Sequence, residues 1–316
     1  MQTHTPPDSE LVPLGLTGID VPPLGLGTWQ WGDRVWWQYG DRYNDDDIRA
    51  AYNTAVARGI RLFDSAEIYG MGKSEKLLGE LSNGDQSIIV ATKFFPFPWR
   101  LRVTDVERAL RGSLRRLQDR PVDLYQVHWP LPPIPVERWM DGLARTVEKG
   151  LARSVGVSNF NQRQMARAVQ VLHPRGIPLA SNQVAFSLLN RSPERDGVLA
   201  SCLALNVSLI AYSPLAMGML SGKYTERNPP PGIRGRRYPP SRLRAMGPLI
   251  TTLRRIGEQR ERTPSQVALN WVICKGAIPI PGAKNALQAE ENAGALGWRL
   301  TTDEVAELDE VSLRFS

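Results

Sequence analysis

Cysteine is nearly missing from this chain: among 316 residues there are two, Cys202 and Cys274, and no Cys-x-x-Cys. That argues against both a disulfide framework and a thiolate zinc site. Histidine is almost as scarce, and His4, His128 and His173 lie too far apart to show metal-ligand spacing, so no metal is expected. His128 is thereby left free for acid-base or orienting work. No uninterrupted apolar run is long enough to span a bilayer. The opening Met1-Gln-Thr-His-Thr-Pro-Pro-Asp8 lacks the basic and apolar regions of a secretory signal, which makes a cytoplasmic location with no membrane partner the expectation. Gly25-Leu-Gly-Thr-Trp-Gln30 lacks the third glycine of a dinucleotide fingerprint and is not followed at once by a helix, so a Rossmann site is not supported. Gly156-Val-Ser-Asn-Phe160 misses a nucleophile elbow at its last position.

What is present reads as an ordinary globular chain, with 42% hydrophobic and 22% charged residues. The net charge of +7 is not accompanied by a nucleic-acid recognition motif, and it fits attraction for a multiply anionic cofactor. The densest basic stretch, Arg234, Arg236, Arg237, Arg242 and Arg244, is interleaved with proline and glycine and reads as a solvated mobile loop.

Behind a Pro-rich leader over residues 1–10, residues 11–21 read as a small hairpin and 23–28 as a first buried strand. Apolar runs at 60–63, 87–92, 124–128, 154–157, 179–184, 208–212 and 277–280 read as further strands. Helical patterns separate them, at 74–81, 104–117, 136–149, 162–171 and 264–274. Another helix begins at Asn44, whose side chain is a capping acceptor ahead of three aspartates, and Gly59 ends it. Strands that are apolar throughout and separated by helices imply a parallel sheet covered on its outer face. Their number suits a single (β/α)8 TIM barrel over residues 1–316, in preference to a doubly wound sheet. The long interval 214–262 breaks the rhythm and should carry extra structure after the seventh strand, with a further helix at the C-terminus.

The expected strand ends carry chemistry. Gly59-Ile-Arg-Leu-Phe-Asp-Ser-Ala-Glu-Ile-Tyr-Gly70 delivers Asp64 and Tyr69, Ser87-Ile-Ile-Val-Ala-Thr-Lys93 an ammonium, and Val122-Asp-Leu-Tyr-Gln-Val-His128 an imidazole. In a parallel barrel all four share one rim. This set resembles the signature of the aldo-keto reductases. The resemblance continues in order through Gly156-Val-Ser-Asn159, Ser181-Asn-Gln183, Ala211-Tyr-Ser-Pro-Leu215, Ile280-Pro-Gly-Ala-Lys-Asn285 and Glu291-Asn292. Trp31-Gly-Asp33 and the ending Ala293-Gly-Ala-Leu-Gly-Trp298 look closest to the plant and cyanobacterial branch of pyridoxal reductase-like proteins.

The resemblance implies NADPH-dependent reduction of aldehydes or ketones. Tyr69 would be the proton donor, but a phenol of pKa about 10 is a poor acid at neutral pH. An ammonium at its oxygen would lower that pKa, so Lys93 is the natural activator, with Asp64 holding it charged and aimed. His128 would orient the carbonyl and, by resemblance, assist the proton relay. Read without the family, Asp64 and Lys93 could equally be a buried ion pair and His128 a satisfied strand-end residue.

For the cofactor, the resemblance implies an extended NADPH across the barrel mouth. Thr28 and Trp29 would border the nicotinamide, Ser158, Asn159 and Gln183 would hold its carboxamide, and Tyr212 would stack on its face. Ser213 would also touch the cofactor, and Leu215, Gly218 and Leu220 would belong to the strap over the pyrophosphate. Gly282 and Lys284 would meet phosphate at a helix N-terminus, and Gln288, Glu291 and Asn292 match the adenine and ribose positions. Trp29, Trp31, Trp36, Phe94 and Trp129 are candidate walls for an aromatic aldehyde or pyridoxal, because planar side chains bury area at low entropic cost. The partner is then a small carbonyl compound rather than nucleic acid, and a monomer is expected. A second reading keeps fold and cofactor but makes the chain a slow-turnover interaction protein of the potassium-channel β-subunit type.

Overall fold

The structure is a computed structural model that describes residues 10–315. The leader expected over residues 1–10, and His4 with it, lies outside the described residues except for Glu10.

Two short antiparallel strands, β1 (Val12–Pro13) and β2 (Asp20–Val21), form the hairpin. Eight strands follow, all parallel and each paired with the next: β3 (Leu26–Gly27), β4 (Leu62–Asp64), β5 (Ile89–Phe94), β6 (Val122–Val127), β7 (Ala152–Ser158), β8 (Leu179–Ala185), β9 (Ser208–Tyr212) and β10 (Ala277–Ile280). The seam between last and first is joined by Gly25 N donating to Pro279 O at 3.0 Å, Gly27 N donating to Pro281 O at 3.0 Å, and a bridge between Gly27 and Gly282. A Cβ on Gly25 would sit 2.9 Å from Leu62 O, and one on Gly27 2.9 Å from Ile280 O. The Gly-x-Gly that fails as a dinucleotide fingerprint is therefore where the barrel closes.

The outer layer consists of α1 (Asp45–Ala57), α2 (Lys73–Leu81), α3 (Val103–Arg116), α4 (Val136–Glu148), α5 (Gln162–Leu172), α6 (Ser192–Arg195), α7 (Val198–Ala204), α8 (Ile233–Arg237), α9 (Pro240–Ala245), α10 (Gly247–Arg260), α11 (Pro264–Cys274), α12 (Ala286–Ala293) and α13 (Thr302–Ser312). Asn44 caps α1 in a reciprocal capping box with Asp47, and Thr263 with Gln266 does the same for α11. The extra helices after the seventh barrel strand and at the C-terminus are α8 to α10 and α13. No helix among the described residues is long and apolar enough to cross a membrane.

The Arg-rich segment departs from the expected open loop. It carries α8 and α9, within which Arg242 lies 4.8 Å over the Tyr238 ring and Arg244 pairs with Glu226 at 2.6 Å.

Two cores result. The larger lies between sheet and helices. The smaller fills one end of the barrel, where Leu14, Ile19 and Val21 from the hairpin pack onto Leu62, Ala91, Leu124, Ile210 and Ile278. That apolar plug leaves the other end for polar side chains. With period two along each strand, Leu62 is followed inside by Asp64, Ala91 by Lys93, and Leu124 by Gln126.

Candidate active site

At the carboxyl ends of the strands a cleft of about 600 Å³ opens, lined by Trp29, Asp64, Tyr69, His128, Trp129, Gln183, Tyr212 and residues of the 213–234 and 280–292 segments. Beneath its floor Lys93 is fully buried. Its Nζ donates to Asp64 Oδ2 at 2.5 Å and to Ser65 O at 2.7 Å, and it lies 3.4 Å from Tyr69 Oη. Burial opposes charge on Lys93, but the Asp64 carboxylate and the Tyr69 oxygen outweigh it and hold the pKa above the ordinary lysine value. Asp64 Oδ1 accepts from Gln183 Nε2 at 2.8 Å and from Gln126 Nε2 at 3.1 Å.

Tyr69 differs from the sequence expectation in one respect. Burial raises its pKa and outweighs the opposing Lys93 ammonium, with the Asp64 charge adding to the rise. The phenol is therefore firmly protonated at neutral pH. The Tyr69 and His128 rings meet edge to face at 5.7 Å. Burial, and then the Lys93 charge, push the His128 imidazole well below its ordinary pKa, so it is neutral at neutral pH. Asn159 ties this corner together. Its Nδ2 donates to His128 O at 3.2 Å and to Ser158 Oγ at 3.0 Å, while its Oδ1 accepts from Tyr212 Oη at 3.0 Å.

Of the residues expected at a cofactor, Trp29, Ser158, Asn159, Gln183, Tyr212, Ser213, Leu215, Gly218, Gly282, Lys284, Gln288, Glu291 and Asn292 line the cleft. Thr28 and Leu220 do not. Thr28 is fully buried behind the first strand, its hydroxyl donating to Asp64 O at 3.0 Å and bonded to Ser74 Oγ, and Leu220 is a fully buried core side chain. Gln288 has its amide oxygen occupied, accepting from Lys284 N at 3.0 Å, and Gln288 N in turn donates to Asn285 Oδ1 at 3.0 Å. Part of the helix N-terminus expected to face phosphate is thus capped by the chain itself.

The substrate wall needs a larger correction. Trp31 is fully buried, with its indole N–H donating to Ala283 O at 3.0 Å, and Phe94 is fully buried against Trp139, so both belong to the core. Trp36 does not line the cleft; it packs on Trp29 from the rim at 6.3 Å. Trp29 and Trp129 remain as walls, joined by Trp37, and Phe95 stands edge-on to His128 at 5.7 Å.

Sequence reasoning missed the far end of the cleft, where Arg42, Lys223 and Arg234 gather round Lys284. Arg234 comes from the Arg-rich segment, its guanidinium 5.8 Å from the Trp37 ring and bonded to Tyr224 Oη at 3.2 Å. Lys284 lies 5.2 Å over Tyr43 and 5.6 Å over Trp37. Burial, then the charges of Arg234, Lys223 and Arg42, lower its pKa. These cations have no carboxylate partner within 4.0 Å among the described residues. Gln30 Oε1 and Trp37 Nε1, also from cleft-lining residues, are buried without a hydrogen-bond partner. A cleft with gathered cations and unmatched polar atoms fits an extended polyanion with its own donors and acceptors.

Comparison with known proteins agrees with that chemistry. The pattern of the aldo/keto reductase family matches residues 23–313. The chain is 41% identical over 305 residues to the chloroplastic pyridoxal reductase of Arabidopsis thaliana, covering 92% of this chain and 83% of that one. It is 42% identical over 294 residues to an uncharacterised oxidoreductase of Mycobacterium tuberculosis, covering 91% and 88%. An aldo-keto reductase from Klebsiella pneumoniae, solved in complex with NADPH, superposes with a TM-score of 0.75 at 27% identity, covering 95% of this chain and 94% of that one.

Proposed function

The chain belongs to the aldo/keto reductase family, and on that premise we propose that it reduces an aldehyde or ketone to the alcohol with NADPH, Tyr69 serving as proton donor. The observation that carries this reading is the bridge Asp64–Lys93–Tyr69 at the cleft floor. NADPH, when bound, supplies the hydride; the proton and the placement of the carbonyl fall to this chain.

Each side chain has a distinct task in that division. Asp64 keeps Lys93 charged, and Lys93 stabilises the phenolate left after Tyr69 has given its proton to the carbonyl oxygen. Neutral His128 donates one N–H toward that oxygen and so fixes the carbonyl. Gln183, Asn159 and Ser158 are suited to the nicotinamide carboxamide, and Tyr212 to its ring. Lys284, Lys223, Arg234 and Arg42 would neutralise the phosphates. Lys284 is the residue we assign to the 2′-phosphate, and a second charge there favours NADPH over NADH.

For the substrate we propose a planar aromatic aldehyde, with pyridoxal as a candidate. Trp29 and Trp129 offer flat walls beside Tyr69 and His128. The name of the Arabidopsis relative supports the same choice. The test is NADPH oxidation over pyridoxal, an aromatic aldehyde, a dicarbonyl and an aliphatic aldehyde, with Tyr69→Phe beside the wild type. The expected result is reduction favouring the aromatic compounds. The Tyr69→Phe variant should lose turnover by about 10²–10⁴-fold while still binding NADPH. Undiminished turnover in the variant would remove Tyr69 from the acid role, and equal rates across the panel would remove the aromatic preference.

A further inference from the structure

Gln126 is fully buried near the carboxyl end of β6, one layer above the apolar plug, and nothing in the reaction outlined above calls for an amide there. It nevertheless touches two groups that reaction uses. Its Nε2 donates to Asp64 Oδ1 at 3.1 Å, and its Oε1 accepts from Gln183 Nε2 at 3.4 Å. Space for this side chain is made by the adjacent strand. Gln126 pairs in register with Gly156 of β7, where a Cβ would stand 3.2 Å from Gln126 Cγ and 2.4 Å from Ser181 Oγ. Without a side chain at Gly156, Gln126 can reach both Asp64 on β4 and Gln183 on β8.

The chemistry of the partners fixes the orientation. Asp64 Oδ1 can only accept, so both amides must turn their nitrogens toward it. The oxygen of Gln183 then makes no hydrogen bond within the described residues, while Gln183 lines the cleft. It is left as an acceptor for an N–H donor such as a carboxamide. Resting on the proton-relay reading above, we propose that Gln126 is a positioning residue that locks the Asp64 carboxylate and the Gln183 amide into one arrangement, coupling the carboxamide seat to the proton relay.

Two consequences separate this role from simple space filling. Removing the Gln126 amide frees Gln183 to rotate, so NADPH should bind more weakly. It also leaves the Asp64 charge less shared, and that charge opposes ionisation of Tyr69. The other titratable groups against Tyr69 are Lys93 from β5, His128 just past the end of β6, and Tyr212 from β9, which is near enough to feel a charge on Tyr69. None of these is itself replaced in Gln126→Met, although Lys93 pairs in register with Gln126 and shares the Asp64 carboxylate with it.

The experiment uses Gln126→Met, which keeps the volume and drops the amide, and Gln126→Glu, with Tyr69→Phe alongside. NADPH dissociation is measured by quenching of tryptophan fluorescence, and the pH profile of kcat/KM is recorded for one aromatic aldehyde. For Gln126→Met we expect a dissociation constant several-fold higher, kcat lower by about tenfold, and an alkaline limb displaced upward by about half a pH unit. Gln126→Glu shares a proton with Asp64 when protonated and repels it when ionised. Its profile should approach wild type at acid pH and show an additional limb. A wild-type limb and wild-type NADPH affinity in Gln126→Met would overturn the proposal. Should that variant fail to fold, the Gln126→Glu profile decides, and one without the extra limb overturns it. Turnover surviving in Tyr69→Phe would instead sink the proton-relay reading itself.

Discussion

Two lysines mark the two ends of the cleft, and they are buried in opposite circumstances. Lys93 stands against a carboxylate, a carbonyl and a phenol, and its pKa is raised. Lys284 stands against aromatic faces and three further cations, and its pKa is lowered. A buried cation with its counter-charge in place is a finished internal part, because the protein itself supplies the compensation for lost hydration. A half-buried cation gathered with others is incomplete until an anion arrives. On the proposed reading, the contrast separates the side chains assigned to the proton from those assigned to the cofactor phosphates, within a single cavity.

The comparison breaks most severely at Lys93. Lys93→Met leaves Asp64 buried without its ammonium, although Gln126 and Gln183 still donate to it. We expect turnover to fall by about 10²-fold or more, with a stability loss of about 3–5 kcal/mol from the uncompensated charge. Adding Asp64→Asn should recover most of that stability, read by thermal melting, but none of the turnover. Recovery of both would show that the pair serves packing only.

A smaller effect is expected at the other end. Lys284→Ala should weaken NADPH by about tenfold and NADH far less, with little change in kcat or melting temperature. Equal weakening of the two cofactors would sink the assignment of Lys284 to the 2′-phosphate. Arg234→Ala should weaken both, because its place near Trp37 and Tyr224 is shared by any dinucleotide crossing the cleft.

The mildest expected effect is on pH dependence, and the two lysines differ in sign. The lowered pKa of Lys284 means that its proton is disfavoured by burial and by the neighbouring cations; the repulsion acts below that pKa and is relieved as pH rises through it. A bound polyanion favours the proton, so NADPH affinity should decline a few-fold as pH rises through the lowered pKa. Titration of Lys284→Ala should be flat over the same range. The raised pKa of Lys93 works oppositely: its pairing contributes stability in full below the ordinary lysine range, and that contribution is lost only as pH rises through the raised value. An affinity for NADPH that stays constant into the alkaline range in the wild type would remove Lys284 from the phosphate seat.

Much of this was legible along the chain. The barrel could be read because parallel strands covered on both faces are short and apolar throughout, while the helices between them carry their own stop and start residues, such as Asn44 and Gly59. Asp64, Lys93 and His128 could be singled out only jointly, because each alone reads as well as an ion-pair or strand-end residue, whereas together with Tyr69 they fall at successive strand ends in one family's order. Trp31 and Phe94 were misjudged for the complementary reason: near a strand end that is buried on both faces, sequence does not say whether a side chain points into the cleft or behind it. Thr28 failed in the same way, its hydroxyl turned toward Asp64 O and Ser74 rather than the cavity. Arg234 was misread because composition describes a loop and not where the loop returns.

By itself, then, the sequence determined the periodicity, the strand ends and the identity of the chemically able side chains, since these depend on neighbours a few residues away. Only the tertiary structure decided which of them meet. Asp64, Lys93, Gln126 and Gln183 come from four different strands, separated by up to 119 positions. Their convergence depends on barrel register, on Gly25 and Gly27 allowing the seam to close, and on Gly156 leaving room across the interior. Burial decided the rest. Whether a lysine is paired, and whether a phenol keeps its proton, are set by charge and solvent in three dimensions, which no local stretch of the chain contains.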